Sequence, residues 1–117
     1  MMHTAPPVPP PAPVQEAPPR LVLVGRASWY ATGRWTASGA PFHKYAMTAA
    51  CNRLPLGTRL CVINTANRRE VVLRVNDTGG FTRLGRVLDV SLGVAQKLDF
   101  VHAGVTTVKC YLVRPGH

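Results

Sequence analysis

Acid–base chemistry needs carboxyl groups held in place, and this 117-residue chain has few: five acidic residues against fourteen Lys and Arg. Two of the five, Asp77 and Asp89, fall in one stretch, Arg74 to Ser91, each at the end of an apolar run. Arg74-Val75 leads to Asn76 and Asp77 and then to a glycine turn at Gly79-Gly80, while Val87-Leu88 leads to Asp89 just ahead of a helical period. A carboxyl at the mouth of a strand is held by the sheet behind it and open on its other side, as a general acid or base requires. The same residues have structural uses. Asp before Thr-Gly-Gly is an ordinary turn former, and either Asp89 or Ser91 can accept the first free amides of the helix that follows.

The elements that must position these carboxyls are short and mostly extended. Leu21 to Tyr30 reads as one strand, alternating from Arg26 onward with Ala27 and Trp29 on one face. Ala31 to Pro41 is loop, rich in Gly, Thr and Ser, and Thr48-Ala49-Ala50 is a short apolar piece ended by Asn52 and Pro55. Leu56-Gly57 turns the chain into Thr58 to Asn64, where Leu60 and Val62 alternate with Arg59 and Cys61. Ala66 to Arg69 predicts a hairpin turn, with Asn67 best suited to positive φ. Glu70 to Val75 is more continuously apolar and so expected at the centre of a sheet. Leu92, Ala95 and Leu98 then fall at helical spacing, and Val105 to Val113 forms a last strand with Val108, Cys110 and Leu112 on one face. The expectation is mainly β: a small six-stranded closed barrel with one short helix, closure removing the unpaired edges so small a domain could not cover.

Composition bounds the rest. Residues 1–20 hold eight of the eleven prolines, a density that favours extended polyproline II, so 1–20 is expected to be a disordered linker and 21–117 the folded domain. No stretch suits a membrane span, and prolines interrupt the place of a signal-peptide core, which leaves a cytoplasmic protein or an exported one whose leader is not in this chain. The net charge of +9 predicts an anionic partner. Nucleic acid is disfavoured, because the cations are scattered, with no basic helix, ribonucleoprotein motif or zinc-finger spacing. Cys51, Cys61 and Cys110 lack any C-x-x-C pair, so no metal site and no cofactor is expected. Cys51 and Cys61 flank the Leu-Pro-Leu-Gly turn and could pair in an exported protein, whereas Cys110 takes a core-facing position.

With these residues placed, the chain from about Gly25 to Val113 resembles the rare lipoprotein A (RlpA)-like double-psi β-barrel family. Gly25-Arg26-Ala27-Ser28-Trp29-Tyr30 is similar to its opening G-x-A-S-W-Y, Thr36-Ala37-Ser38-Gly39 to its T-A-[NS]-G loop, and Thr48-Ala49-Ala50 to its T-A-A. Leu54 to Thr58 resembles L-P-x-G-T, Val75-Asn76-Asp77 with Gly79 resembles V-N-D-R-G-P, and Arg86 to Ser91 resembles R-[IV]-[IL]-D-L-S. The resemblance implies a cell-envelope protein, periplasmic or exported, that meets peptidoglycan glycan strands as a monomer. It also implies a lytic transglycosylase that cleaves strands poor in stem peptides, in which one carboxyl protonates the glycosidic oxygen and the sugar's own 6-hydroxyl closes a 1,6-anhydro ring. One group acting as acid and then base suffices, unlike the paired carboxylates of ordinary glycosidases.

The departures bear on that activity. Where active members carry Glu after T-A-[NS]-G, this chain has Ala40, and where they carry His after T-A-A, it has Cys51; Thr78 and Gly80 replace Arg and Pro. The expected catalytic residues are then Asp77, the general acid/base, and Asp89, for which helix capping is the competing role. Trp35, Phe42, Cys51, Asn76 and Tyr30 are the expected substrate-binding residues, the aromatic ones by stacking on sugar rings. His43, in the same loop, is a further candidate for the missing His. The alternative is a non-catalytic, expansin-like wall-binding module, which Ala40 and Cys51 favour.

Overall fold

The computed structural model describes residues 6–7, 19–33, 35–78 and 85–113. Most of the proline-rich segment expected as a linker, and the glycine turn at 79–80, lie outside the described residues. The strands are β1 (Arg20–Tyr30), β2 (Thr48–Ala50), β3 (Arg59–Asn64), β4 (Glu70–Asp77), β5 (Arg86–Ser91) and β6 (Val105–Leu112), with one helix, α1 (Leu92–Leu98). They close into a barrel in the order β1-β5-β2-β4-β3-β6, so every strand has two neighbours. Two pairings are parallel, β1 with β5 and β2 with β4, and the other four are antiparallel. The expected six-stranded, mainly β barrel with one short helix is the architecture observed.

Alternation along the strands fills the interior. Leu60 and Val62 of β3, Leu73 and Val75 of β4, Leu88 and Val90 of β5, and Val108 and Cys110 of β6 are buried in one cluster, which Val94, Ala95 and Leu98 of α1 join. β4 sits between β2 and β3, but closure gives every strand two neighbours, and Val72 of its apolar run is exposed, so the run does not mark a central strand. Trp29 packs against this cluster, and its indole N–H donates to the carbonyl of Val101 at 3.1 Å. Gly93, at the start of α1, is where backbone comes closest: its N–H bonds the carbonyl of Lys44 at 2.8 Å, and a Cβ there would stand 2.5 Å from the carbonyl oxygen of Tyr45. The 42–47 segment is thereby tied to the helix.

One local expectation is corrected, at Asn67, and two alternatives left open, the helix cap and the cysteines, are decided. Ser91 alone caps α1, its hydroxyl accepting from the Val94 N–H, and Asp89, two residues earlier, stays in β5 with its carboxyl elsewhere. In the 66–69 turn the positive φ falls on Arg68 (64°) instead of Asn67. Asn67 works through its side chain, Oδ1 accepting from the Arg69 N–H and Nδ2 donating to the carbonyl of Leu98. The three cysteines are free thiols. Cys51 belongs to the core cluster, whereas Cys61 lies between the inward-facing Leu60 and Val62 on β3 and so faces outward, which keeps the two apart.

Candidate functional site

The three-residue strand β2 holds the candidate site together. Ala49 pairs with Val75 on one side and Val90 on the other, and all three side chains lie in the core. Side chains alternate along a strand, so Ala50 faces outward. Ala50 pairs with Asp77 of β4 and with Asp89 of β5. Asp89 in turn pairs with Ser28 of β1. Residues paired across strands share a face, so Ser28, Asp89, Ala50 and Asp77 form one row across four strands on the side away from the core, with Ser28 and Ala50 buried and the two aspartates half-buried. At about 4.8 Å per strand, the two aspartate backbones lie some 10 Å apart, on either side of Ala50.

Each carboxyl is oriented differently. Asp77 Oδ1 accepts the N–H of Thr78 at 2.9 Å and the N–H of Ala37 at 3.0 Å, and the neighbouring Asn76 carbonyl accepts from Ser38 N–H at 3.2 Å. The Ala37 and Ser38 bonds dock the 35–41 loop onto the end of β4. That loop is folded on itself: Thr36 N–H and Oγ1 both donate to the carbonyl of Ala40, each at 2.9 Å, and Trp35 bridges to Pro41. Asp89 Oδ1 accepts the hydroxyl hydrogen of Ser28 at 2.9 Å. Burial pushes the Asp89 pKa above its ordinary 3.8, while the Ser28 bond and the Arg86 charge pull it the other way.

The expected binding residues divide. Tyr30, two positions after Ser28 and so on the same face of β1, stacks on Phe42 with ring centroids 4.7 Å apart and 23° between planes. Its hydroxyl is buried with no partner among the described residues, and its pKa is pushed up to about 12, by burial first and then by the charges of Asp77 and Asp89. The phenol is therefore a lasting donor near both carboxylates. Asn76 Oδ1 is likewise buried without a described partner. Trp35 is 70% exposed, a free aromatic surface on the docked loop. Cys51 points into the core, 2% exposed, and touches the row only through its backbone N–H, which donates to the carbonyl of Asp77 at 2.9 Å. His43 is exposed, and Ala40 sits in the exposed turn of the 35–41 loop.

Two further residues, one on this face and one in the 42–47 segment, escaped the sequence reading. Ser28 orients Asp89, and the period-two alternation that put Trp29 inside already placed Ser28 with Tyr30 on the opposite face. Tyr45 is 60% exposed, with the Lys44 ammonium 5.2 Å from its ring centroid. No periodicity marks it, because its segment is loop.

Six closed strands with two parallel crossings define a double-psi β-barrel, here with two carboxylates paired to one residue of β2. A family model described as lytic transglycolase matches residues 22–110. Among curated relatives, a probable endolytic peptidoglycan transglycosylase RlpA of Nostoc sp. is 50% identical over 95 residues, covering 77% of this chain and 25% of that protein. The endolytic peptidoglycan transglycosylase RlpA of Pseudomonas aeruginosa is 42% identical over 96 residues, covering 80% and 28%. The chain thus spans about a quarter of the length of these relatives. Among solved structures, the Streptomyces papain inhibitor superposes with a TM-score of 0.64 at 22% identity, over 79% of this chain and 94% of that one, a likeness of fold. The chain belongs to the RlpA-like lytic transglycolase family.

Proposed function

We propose that this domain acts on peptidoglycan glycan strands as a lytic transglycosylase, with Asp77 as general acid and then base. The observation that carries the reading is the pairing of Ala50 with Asp77 on one side and Asp89 on the other. Two backbone amides occupy Asp77 Oδ1, so Oδ2 is the oxygen left to carry a proton. In the proposed step Oδ2 gives that proton to the glycosidic oxygen as the bond to the anomeric carbon breaks. The sugar's 6-hydroxyl then attacks that carbon and returns its proton to Oδ2, leaving a 1,6-anhydro end with no water consumed. Asp89 is the second carboxylate of the face, Tyr30 a hydrogen-bond donor beside both, and Trp35 a stacking surface for a sugar ring. Activity on the wall places the domain in the cell envelope; no helix among the described residues is long and apolar enough to cross a membrane.

A second reading, a wall-binding module that does not cut, is favoured by Ala40 and Cys51. Ala40 has no group to move a proton, and the Cys51 thiol faces the core. Incubation with stem-free glycan strands followed by mass spectrometry separates the two. Anhydro-ended products support the enzyme, and binding without products supports the module. A chain that neither binds nor cuts the strands overturns both.

A further inference from the structure

The carboxylate row runs over β1, β5, β2 and β4, and the wall that completes the barrel, β1-β6-β3-β4, carries a different pattern. Leu21 of β1 pairs with Tyr111 of β6, Tyr111 with Cys61 of β3, and Cys61 with Val72 of β4. Leu60, Val62 and Cys110, which alternate with these residues, fill the core, so the four form one apolar row on the outside. Leu21 is 46% exposed and Val72 43%, with Tyr111 and Cys61 half-buried between them. The next outer row is Val24, Lys109, Ile63 and Glu70, in which Val24 is also exposed. Burial, and then the Glu70 charge, pushes the Cys61 pKa up, so the thiol stays neutral within the patch. Cations frame it. Arg20 precedes Leu21, Arg59 and Arg74 pair one row beyond Cys61 and Val72, and Lys109 stands in the second row; all four are exposed.

We propose that the β1-β6-β3-β4 wall docks on an anionic lipid bilayer through Leu21, Tyr111, Cys61 and Val72. The charge pattern selects this occupant. Long basic side chains around an apolar centre reach the headgroups while the centre enters the boundary beneath them. A second copy would set one ring of cations against another. An added strand has no free edge to pair with, because the barrel is closed. A convex wall also suits a surface that can deform around it. Such docking is separate from any action on glycan. In the closed strand order β6 lies opposite β2, so a barrel seated this way turns Ala50, with Asp77 and Asp89 on either side, away from the lipid.

The test sediments the full chain with vesicles of phosphatidylcholine alone, or of phosphatidylcholine and phosphatidylglycerol in equal parts. The wild type should bind the mixed vesicles at least about tenfold tighter than the neutral ones. Lys109→Gln, which removes one exposed cation, should weaken that binding about fivefold. Leu21→Ser/Val72→Ser should weaken it about tenfold through lost apolar contact. If circular dichroism shows the double variant unfolded, Val72→Ser alone should give a smaller loss in the same direction. An environment-sensitive fluorophore on Cys61 should shift to the blue when mixed vesicles are added. A wild type that binds neither vesicle overturns the docking. Serine variants that bind as tightly as wild type would show that charge alone holds the protein, and overturn it too. A Cys61 probe already shifted before vesicles are added would assign the wall to another segment of this chain, or to a second copy if the shift grows with protein concentration. Either result overturns the bilayer as occupant, and neither bears on glycan cleavage.

Discussion

Asp77→Asn separates chemistry from structure more cleanly than any other change on this face. The carboxyl makes two described hydrogen bonds, both through Oδ1 as acceptor of backbone N–H groups, from Ala37 at 3.0 Å and Thr78 at 2.9 Å. Asparagine keeps an acceptor at Oδ1 and puts an amide nitrogen where Oδ2 stood, so the 35–41 loop stays docked. Its stability should remain within about 1 kcal/mol of wild type, while loss of a general acid lowers the rate by about 10²–10⁴. Asp77→Ala is the contrasting variant. It loses both bonds, at about 1 kcal/mol each, or a fall in Tm on the order of 10 °C for a domain of this size. Anhydro-product formation from stem-free glycan and thermal melting of the three proteins together form the assay. Cleavage by Asp77→Asn at the wild-type rate would refute the assignment of the proton to Asp77. A Tm for Asp77→Asn as low as that of Asp77→Ala would show that the negative charge, and not the acceptor geometry, holds the loop.

Other expectations follow from the same packing. Because burial raises the Asp89 pKa above 3.8, the folded protein holds that proton more tightly than the unfolded chain. The associated stability is present below pH 3.8 and is lost as pH rises through the raised value. Asp89→Asn cannot ionise, so its Tm relative to wild type should climb between pH 3 and pH 7; a flat difference rules the cause out. Gly93→Ala sets a Cβ 2.5 Å from the Tyr45 carbonyl oxygen, backbone that cannot simply swing away. It should cost about 1–3 kcal/mol, read as a lower urea midpoint at unchanged slope, and an unchanged midpoint would show that the 42–47 segment is free to shift. A thiol reagent should modify Cys61 in the native protein and reach Cys51 and Cys110, 2% and 0% exposed, only on unfolding; three equally fast thiols would contradict the packing.

The longer strands and the helix were legible where one period runs through them. Leu60 and Val62, Leu73 and Val75, and Val108 and Cys110 alternate inward as their patterns require, and Leu92, Ala95 and Leu98 mark the helix. What sequence could not give depends on partners far away in the chain. Arg68 carries the positive φ because Asn67 uses its amide on Leu98, 31 positions distant. Asp89 is free of the helix cap because Ser91 takes that task, leaving the carboxyl to Ser28, 61 positions earlier. Cys51 stood at a position that the motif resemblance ties to the site, yet its alternation with Ala49 in the core already argued for the inward face.

The two aspartates show why a motif can be read when the site it builds cannot. Asp77 and Asp89 are close in sequence, and the stretch between them suggests that a shared turn brings them together. The barrel instead inserts β2 between β4 and β5, so each aspartate pairs with Ala50 and neither pairs with the other. A strand of three residues carries too little period to announce that role. Its residue types fit the position nonetheless: Ala49 and Cys51 are small enough for the core, and Ala50, 4% exposed, is small enough for the covered position between the two aspartates. The distance between the acids is thus set by β2, while the orientation of each is set separately, by the 35–41 loop for Asp77 and by β1 for Asp89.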